Sequence, residues 1–475
     1  MSSVLLASPA SAPVTKAKSV ERHSNHDEAL SEDRYGDFVS SINESIFDHK
    51  GDKFYLYPRY GKSEHLAKTG LPELDERYTI TRYIYATVHG YAPSEWFGFV
   101  AVSTPQQSEY LGCREIVVAI RGTISDAEWH QNLFKANMVT CDRIDPSKKA
   151  RVHCGFYSIY SSTNEAHAFG ELSLRNQIFK EVEELVSSGD NKKDVRIVCA
   201  GHSLGSSLAT LAAADLSINF ASGRSNVKVH LVAYASPKVG NAEFKHLVES
   251  QSTLVITRYS GVGDLVPHVP IYDAVENWIG VIPNLPITYY QHVGKEQKPD
   301  WTKSPYVQPW LLKLNGRTGW RLKTYFGVCH NLQLYLHTIA AQSFVLEPLL
   351  KLSAKPLQTP AFKEAMEILN KRYGEEGMEA LAPFYKDLAY LEEVATMKEG
   401  APKFKRARLE LEPSPFDARD CALLNKRADI LKEEFGVPVS WVLPPNKDMK
   451  LEDGKWLPRS KRIDDIPDPS NPEYN

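Results

Sequence analysis

Short runs of mostly apolar residues recur along the first 345 residues, and such runs are typical of strands buried on both faces of a sheet. They are rich in Val and Ile and are bounded by polar or turn-forming residues. The runs predict five strands, at Phe97–Val102, Ile116–Ile120, Val195–Ala200, Val229–Tyr234 and Leu254–Tyr259.

Apolar positions with helical spacing lie before and between these runs. Phe38, Val39, Ile42 and Ile46 share one face of a predicted first helix. Glu165–Ser187 and Leu204–Asn219 have the same spacing and lie between predicted strands. Because strands that alternate with helices favour βαβ units, the pattern predicts an α/β fold with a mostly parallel central sheet.

Composition divides the chain into four regions. Residues 1–34 begin with a Ser- and Ala-rich stretch and are predicted to form a flexible tail. Residues 35–345 carry the α/β pattern. Residues 346–412 are denser in charge, with apolar residues at helical spacing, and are predicted to form a charged helical insertion. Residues 413–475 are expected to form a last helix, near Ala422–Phe435, and a Pro-rich tail.

The overall composition excludes several classes of function. The formal net charge is −3, so there is no general electrostatic reason to bind nucleic acid. No apolar run reaches the ~18–20 residues that a membrane span needs. No motif for a metal, nucleotide or other cofactor is present, and none is predicted. The sequence carries no signal for an oligomeric state.

Targeting signals are weak. The six cysteines are far apart and form no C-x-x-C pair, which is typical of a reducing compartment. The start of the chain lacks the pattern of a secretory signal, so the prediction is a cytoplasmic protein. A chloroplast location is the alternative, because the first 20 residues are rich in Ser and Ala and contain no acidic residue.

The strongest chemical signal is Gly201-His202-Ser203-Leu204-Gly205, which lies between a predicted strand and a predicted helix. This is the context of a nucleophile elbow, in which a tight turn presents a serine at the edge of the sheet. The competing interpretation is a structural turn in which Ser203 only caps the helix.

A serine nucleophile needs a base, and the base needs an orienting acid. Asp264 follows the strand Leu254–Tyr259 in a Gly-rich turn and is the favoured acid, with Asp273 and Asp300 as competitors. The favoured base is His330, which precedes a predicted helix. Four further histidines stay open at this point: His246, His268, His292 and His337.

Oxyanion stabilisation requires two N–H donors. The residue after the nucleophile, Leu204, is expected to supply one. The second is expected from Arg121-Gly122-Thr123, because this tripeptide follows the strand Ile116–Ile120, and Thr123 is the candidate donor.

The order of these motifs resembles the class 3 lipases of the α/β-hydrolase fold, and in particular the plant phospholipase A1 type of acylhydrolase. The motifs that carry the resemblance are Ile120–Thr123 with Glu128–Trp129, Val152–Phe156, Gly201–Gly205, Ala235–Asn241, Gly263–Pro267 and His330–His337. Arg419–Lys426 and Phe435–Pro438 extend it into the C-terminal region.

The resemblance implies an α/β-hydrolase fold, a Ser203, His330 and Asp264 triad, and oxyanion donors at Thr123 and Leu204. It implies hydrolysis of acyl esters in glycerolipids without a metal, with sn-1 cleavage of phospholipids expected first and galactolipids or triacylglycerols next. Peripheral contact with a membrane surface or lipid droplets would follow from such a substrate.

Three features depart from the family pattern. Ser206 and Ser207 follow the elbow where Gly or Ala is usual, the insertion 346–412 has no counterpart, and the lid region 126–150 is not clearly amphipathic. Residues 403–408 form a basic cluster, interpreted as a solvated charge run or as a contact for anionic lipid. The alternatives to a hydrolase are a non-catalytic lipase-like interaction protein and a transacylase with the same triad.

Overall fold

A seven-stranded sheet forms the centre of the protein in the computed structural model. The structure describes residues 33–45, 57–88, 94–123, 137–166, 169–189, 193–270, 290–301, 329–342, 449–452, 455–458 and 471–474. The insertion predicted at 346–412 and the helix predicted near Ala422–Phe435 lie outside the described residues, as do residues 1–32 of the predicted tail.

The described strands, in chain order, are β1 (Tyr78–Thr87), β2 (Ser94–Ser103), β3 (Arg114–Ile120), β4 (Met138–Thr140), β5 (Arg151–His153), β6 (Val195–His202), β7 (Val227–Tyr234), β8 (Leu254–Tyr259), β9 (Glu296–Gln297), β10 (Met449–Glu452) and β11 (Lys455–Pro458). The central sheet has the order β1-β2-β3-β6-β7-β8-β9. Strands β1, β2 and β3 pair antiparallel, and every pairing from β3 to β9 is parallel. The sheet is therefore mostly parallel, as predicted, and the protein has the α/β-hydrolase fold.

The described α-helices are α1 (Asp33–Ser45), α2 (His65–Lys68), α3 (Pro72–Arg77), α4 (Pro105–Leu111), α5 (Cys154–Ser161), α6 (Leu174–Ser187), α7 (Leu204–Asp215), α8 (Ala242–Glu249) and α9 (Leu332–Gln342). A π-helical turn at Leu216–Phe220 continues α7, and a 3-10 turn covers Val266–His268. None of the helices in the described part of the chain is both long enough and apolar enough to cross a membrane.

The start of one helix and several strands differ from the sequence prediction. Helix α6 begins at Leu174 and not at Glu165, because the hydroxyl of Ser173 accepts from the N–H of Asn176 at 3.2 Å and caps the helix there. Strand β1 has no counterpart among the five predicted strands, although it is rich in the aromatic and β-branched residues that strands favour. The short strands β4, β5, β9, β10 and β11 have no predicted counterpart either. All five predicted strands are present.

The central strands are buried on both faces, which explains their continuous apolar sequences. In β3, Val118 packs into one core cluster and its neighbour Val117 into the other. Helices α5, α6 and α7 supply the first cluster, whereas α1 and α9 supply the second. Because side chains alternate across a strand, a strand covered on both sides needs apolar residues at successive positions.

Helix α1 ties helix α9 to the sheet. The fully buried carboxylate of Glu115 accepts hydrogen bonds from Arg34 at 3.1 Å and from the Tyr35 hydroxyl at 2.8 Å. Further along α1, the Ser40 hydroxyl accepts from the amide of Gln333 at 2.6 Å. Since α9 follows His330 directly, these contacts hold the start of α9 at the edge of the sheet.

Candidate active site

Ser203 occupies a strained turn between β6 and α7. Its φ and ψ are 57° and −126°, a conformation that is uncommon for a residue with a side chain. Its N–H donates to the carbonyl of Tyr234 on the neighbouring strand at 3.0 Å. The side chain of Ser203 makes no cap hydrogen bond to the helix, so the interpretation that it only caps α7 is wrong. This geometry matches the strained strand-to-helix turn of a nucleophile elbow.

The glycines of the elbow allow strand and helix to approach closely. A Cβ atom on Gly205 would lie 2.3 Å from the Ile120 carbonyl oxygen and 2.4 Å from that of Arg121. A Cβ atom on Gly201 would lie 2.3 Å from the carbonyl oxygen of Gly205. Larger residues are accommodated one position further on, where the Ser206 hydroxyl donates to the Ser203 carbonyl at 2.5 Å. The Ser206 departure from the family pattern therefore leaves the turn intact.

Asp264 and His330 meet at the carboxyl edge of the sheet, although 66 residues separate them. Asp264 follows β8 and is 1% exposed. Its Oδ1 accepts from the N–H of Val266 at 2.9 Å, and its Oδ2 lies 2.8 Å from His330 Nδ1. Because a carboxylate oxygen accepts the hydrogen bond, Nδ1 is the donor in this contact, and Nε2 is the second nitrogen of the ring.

Sequence reasoning missed Tyr335, which completes the surroundings of the acid. Its hydroxyl donates to Asp264 Oδ2 at 2.6 Å and accepts from the Gly261 N–H at 2.7 Å. Burial, reinforced by the charge of Asp264, raises the pKa of Tyr335 well above its usual value, so the phenol remains a donor. Its place in the helical run after His330 gave no sign of this contact, because the contact depends on how α9 packs.

The His330 region also contacts the elbow. Nε2 of His202 donates to the carbonyl oxygen of His330 at 2.9 Å, and the two imidazole rings lie 4.7 Å apart. Since His202 directly precedes Ser203, this hydrogen bond brings His330 beside the elbow. The sequence singled out His202 only as a member of the elbow motif.

The competing acid and base candidates are in other surroundings. His337 is buried within α9, and burial lowers its pKa to about 4, which keeps the ring neutral. His292 donates to the Pro267 carbonyl at 2.6 Å, and burial lowers its pKa well below the usual value. His246 lies on α8, and Asp300 follows β9. Asp273 lies outside the described residues.

The two predicted oxyanion donors flank Ser203. Leu204 is the first residue of α7, where backbone N–H groups have no intrahelical acceptor. Gly122 contacts the elbow, because a Cβ atom on it would lie 2.8 Å from the His202 carbonyl oxygen and 3.1 Å from Ser203 Cβ. Thr123 follows it and is partly exposed. Both donor candidates are therefore at the same edge of the sheet as Ser203.

Two further expectations concern the surroundings of the site. Residues 126–136 of the predicted lid region lie outside the described residues, and residues 137–150 include β4. Within the ranges that the structure describes, no group of three or more His, Cys, Asp or Glu residues could hold a metal ion.

Residues 117–274 match the lipase (class 3) family. The phospholipase A1 EG1, chloroplastic/mitochondrial, of Oryza sativa subsp. indica is 33% identical over 285 residues, covering 57% of this chain and 64% of the relative. The galactolipase DONGLE, chloroplastic, of Arabidopsis thaliana is 34% identical, covering 56% of this chain and 60% of the relative. In both cases the chain spans a little under two thirds of the relative's length.

A longer match is found with the phospholipase A1-IIbeta of Arabidopsis thaliana, which is 30% identical over 331 residues, covering 64% of this chain and 73% of the relative. Among solved structures, the nonglycosylated LIP2 lipase of Yarrowia lipolytica is 19% identical and covers 57% of this chain and 78% of its own, with a TM-score of 0.37. On the family match and the relatives together, this chain belongs to the class 3 lipase family.

Proposed function

We propose that this protein is a serine acyl hydrolase of glycerolipids, with Ser203 as nucleophile, His330 as general base and Asp264 as the orienting acid. The observation that carries the proposal is the 2.8 Å contact between Asp264 Oδ2 and His330 Nδ1, next to a serine held at a φ of 57°. An elbow alone could be structural. A buried acid paired with a histidine beside the elbow supplies the base that the serine needs.

In the acylation step, Ser203 Oγ forms a bond to the ester carbonyl carbon while His330 Nε2 takes the hydroxyl proton. The resulting oxyanion is stabilised by the N–H groups of Leu204 and Thr123. The ester C–O bond then breaks, and His330 returns the proton to the departing glycerol oxygen. An acyl group remains on Ser203.

Deacylation repeats the sequence with water. His330 takes a proton from the water as its oxygen bonds to the acyl carbon, and then returns a proton to Ser203 Oγ as the fatty acid leaves. Asp264 holds the ring in the tautomer that keeps Nε2 basic and stabilises the cationic ring. The Tyr335 hydroxyl and the Val266 N–H fix the carboxylate in place.

The substrate is a polar glycerolipid, with sn-1 cleavage of a phospholipid first and a galactolipid second. Support comes from the names of the relatives, which include phospholipases A1 and a galactolipase. Such lipids reside in membranes, so the enzyme contacts a membrane surface or a lipid droplet peripherally.

A plastid location is the better supported of the two expected locations. Two of the reported relatives are named chloroplastic, whereas the expectation of a cytoplasmic protein gains no support from them. Fusing residues 1–34 to a fluorescent protein and imaging plant cells tests this. Fluorescence in plastids supports the plastid location, and diffuse cytoplasmic fluorescence contradicts it.

The test of the activity compares wild type, Ser203→Ala and Ser207→Ala. Ser207 is a matched control, because it lies four residues further along the same chain segment and its buried hydroxyl has no hydrogen-bond partner within the described residues. Each protein is incubated with mixed vesicles of phospholipid, galactolipid and triacylglycerol that carry a different acyl chain at each position. The released fatty acids are then identified.

We expect fatty acid release that falls by several orders of magnitude in Ser203→Ala and stays near wild type in Ser207→Ala, because triad members act as a unit. The identity of the released fatty acid identifies both the lipid class and the acyl position that was cleaved. Release that survives in Ser203→Ala contradicts the proposal. Acyl esters of an added alcohol in place of fatty acid would indicate a transacylase, and no release from folded protein would favour an interaction protein.

A further inference from the structure

Arg121 is a fully buried cation immediately before the loop of Gly122 and Thr123. Its Nη2 donates to the Glu95 carboxylate at 2.8 Å, and its Nε donates to the Trp96 carbonyl at 2.7 Å. The guanidinium also lies over the ring of Phe97, 4.2 Å from its centre. Since burying a charge is costly unless it is paired and hydrogen-bonded, this arrangement holds the guanidinium in one position.

The remaining end of the guanidinium contacts the loop itself. Nη1 of Arg121 donates to the carbonyl oxygen of Gly122 at 2.9 Å. In a planar trans peptide, the C=O and the following N–H point in opposite directions. Within the described residues, Val269–Pro270 is the one peptide bond in the cis form, so the bond between Gly122 and Thr123 is trans. The hydrogen bond from Arg121 therefore also sets the direction of the Thr123 N–H.

Gly122 itself lies against the elbow. A Cβ atom on Gly122 would lie 2.8 Å from the His202 carbonyl oxygen and 3.1 Å from Ser203 Cβ. The loop thus lies between a fixed cation and the nucleophile. Oxyanion stabilisation depends on donors that are oriented before the charge develops, so the orientation of this peptide bears directly on the reaction.

We propose that Arg121 is a positioning residue, which acts through the Gly122 carbonyl oxygen to aim the Thr123 N–H at the oxyanion. The inference rests on the proposed function, since it assumes an acyl-transfer reaction at Ser203. The three acceptors are the Glu95 carboxylate and the carbonyl oxygens of Trp96 and Gly122, and they require a planar group whose N–H donors point in fixed directions. A lysine could pair with Glu95 but is a single point charge and would leave Gly122 without its donor.

Three variants separate this role from a merely structural one. Arg121→Lys keeps the positive charge but removes the planar guanidinium and its set of N–H donors. Glu95→Gln weakens the ion pair while leaving the Arg121 contact with Gly122 in place. Arg175→Lys is the matched control, because Arg175 is also a paired guanidinium, bonded to Asp215 at 2.6 and 3.0 Å and packed 4.3 Å from the Phe179 ring centre. Asp215 ends α7, about 16 Å along the helix from the elbow.

The assay uses a water-soluble p-nitrophenyl ester for kcat and KM, and an alkylboronic acid as a probe of the tetrahedral state. The boron bonds to Ser203 Oγ as the hydroxyl proton passes to His330, so one boronate oxygen occupies the oxyanion position. Removing one oxyanion donor costs about 10²–10³ in kcat, and a donor that is misaligned but still present costs less. For Arg121→Lys we therefore expect kcat to fall about 10- to 100-fold.

In the same variant, the inhibition constant of the boronic acid should rise by a similar factor, while KM stays within about twofold, because the contact matters only once the oxyanion forms. Glu95→Gln and Arg175→Lys should keep kcat within a few-fold of wild type. If Arg121→Lys does not fold, the pair Arg121→Gln with Glu95→Gln removes both charges together, and the same changes in kcat and inhibition constant are expected.

Three results are distinguishable. Hydrolysis that survives in Ser203→Ala refutes the proposed function itself. Ser203-dependent hydrolysis with a wild-type kcat in Arg121→Lys overturns the role of Arg121 alone. Equal losses of kcat in Arg121→Lys and Arg175→Lys, in step with lost thermal stability, also overturn it, because they indicate a structural effect.

Discussion

The elbow glycine Gly205 offers a sharp test of how the fold holds the site together. In Gly205→Ala, the new Cβ atom would lie 2.3 Å from the Ile120 carbonyl oxygen and 2.4 Å from the Arg121 carbonyl oxygen. An ordinary contact begins at 3.4 Å, so the start of α7 and the end of β3 must separate by about 1 Å. The separation would pull Ser203 and Leu204 away from the loop of Gly122.

Two opposing effects decide the outcome for stability. Alanine is favoured over glycine in a helix by up to about 1 kcal/mol. Overpacking a well-filled site costs about 1–3 kcal/mol, and here the overlapping atoms are backbone and cannot rotate aside. We therefore expect a net loss of stability. The loss of activity should be larger, because a misplacement of about 1 Å in an active site can cost about 100-fold in rate.

The assay pairs thermal unfolding with kcat on a soluble ester, and Gly189→Ala is the matched control. The same substitution there meets the Nη1 atom of Arg114 at 2.4 Å, which is the end of a flexible side chain. Gly189→Ala should keep kcat near wild type. A Gly205→Ala protein with a kcat within twofold of wild type and unchanged thermal stability would refute the reasoning that the backbone contact fixes the site.

Two further substitutions test the surroundings of the site. Tyr335→Phe removes the hydroxyl bonded to Asp264 at 2.6 Å and should lower kcat about 10-fold, since a hydrogen bond to a charged group contributes about 1.5–3 kcal/mol. Tyr160→Phe, which removes a 3.0 Å bond to the buried Asp215, is the control; similar kcat values in the two variants would contradict the role of Tyr335. The pKa of His337 is about 4 when folded and about 6.5 when unfolded, so the unfolded chain binds more protons and stability falls as pH drops through this window. His337→Gln should therefore reduce the difference between the urea unfolding midpoints measured at pH 7 and pH 5. If His337→Gln loses more kcat than His330→Ala does, the choice of His330 as base is refuted.

Local patterns in the sequence were sufficient for most of the central fold. The runs that became β3, β6 and β7 are apolar at successive positions, because helices cover both faces of the sheet. The same holds for the elbow, since a strand, a turn and a helix that are contiguous in sequence define it. The apolar runs and the strand–turn–helix pattern depend only on residues that are close along the chain, so both can be predicted from the sequence.

The sequence was less informative where a single residue or a weak pattern decides the boundary. The cap at Ser173 starts α6 nine residues after the helical spacing begins, because a polar residue that satisfies the first N–H groups competes with apolar periodicity. Strand β1 was missed although its composition favours a strand. Its pairing with β2 supplies the hydrogen bonds that stabilise it, and that partner cannot be identified from the segment alone.

The sequence by itself determined the five inner strands of the central sheet and the order of the motifs, and it predicted the elbow, but it left several acids and histidines open. Only the tertiary structure brought Asp264 to His330, placed Tyr335 against the same carboxylate oxygen and directed Arg121 to Gly122. The physical reason is distance along the chain. A parallel sheet gathers the ends of distant strands at one edge, and contacts made there depend on how helices pack on the sheet and not on local sequence.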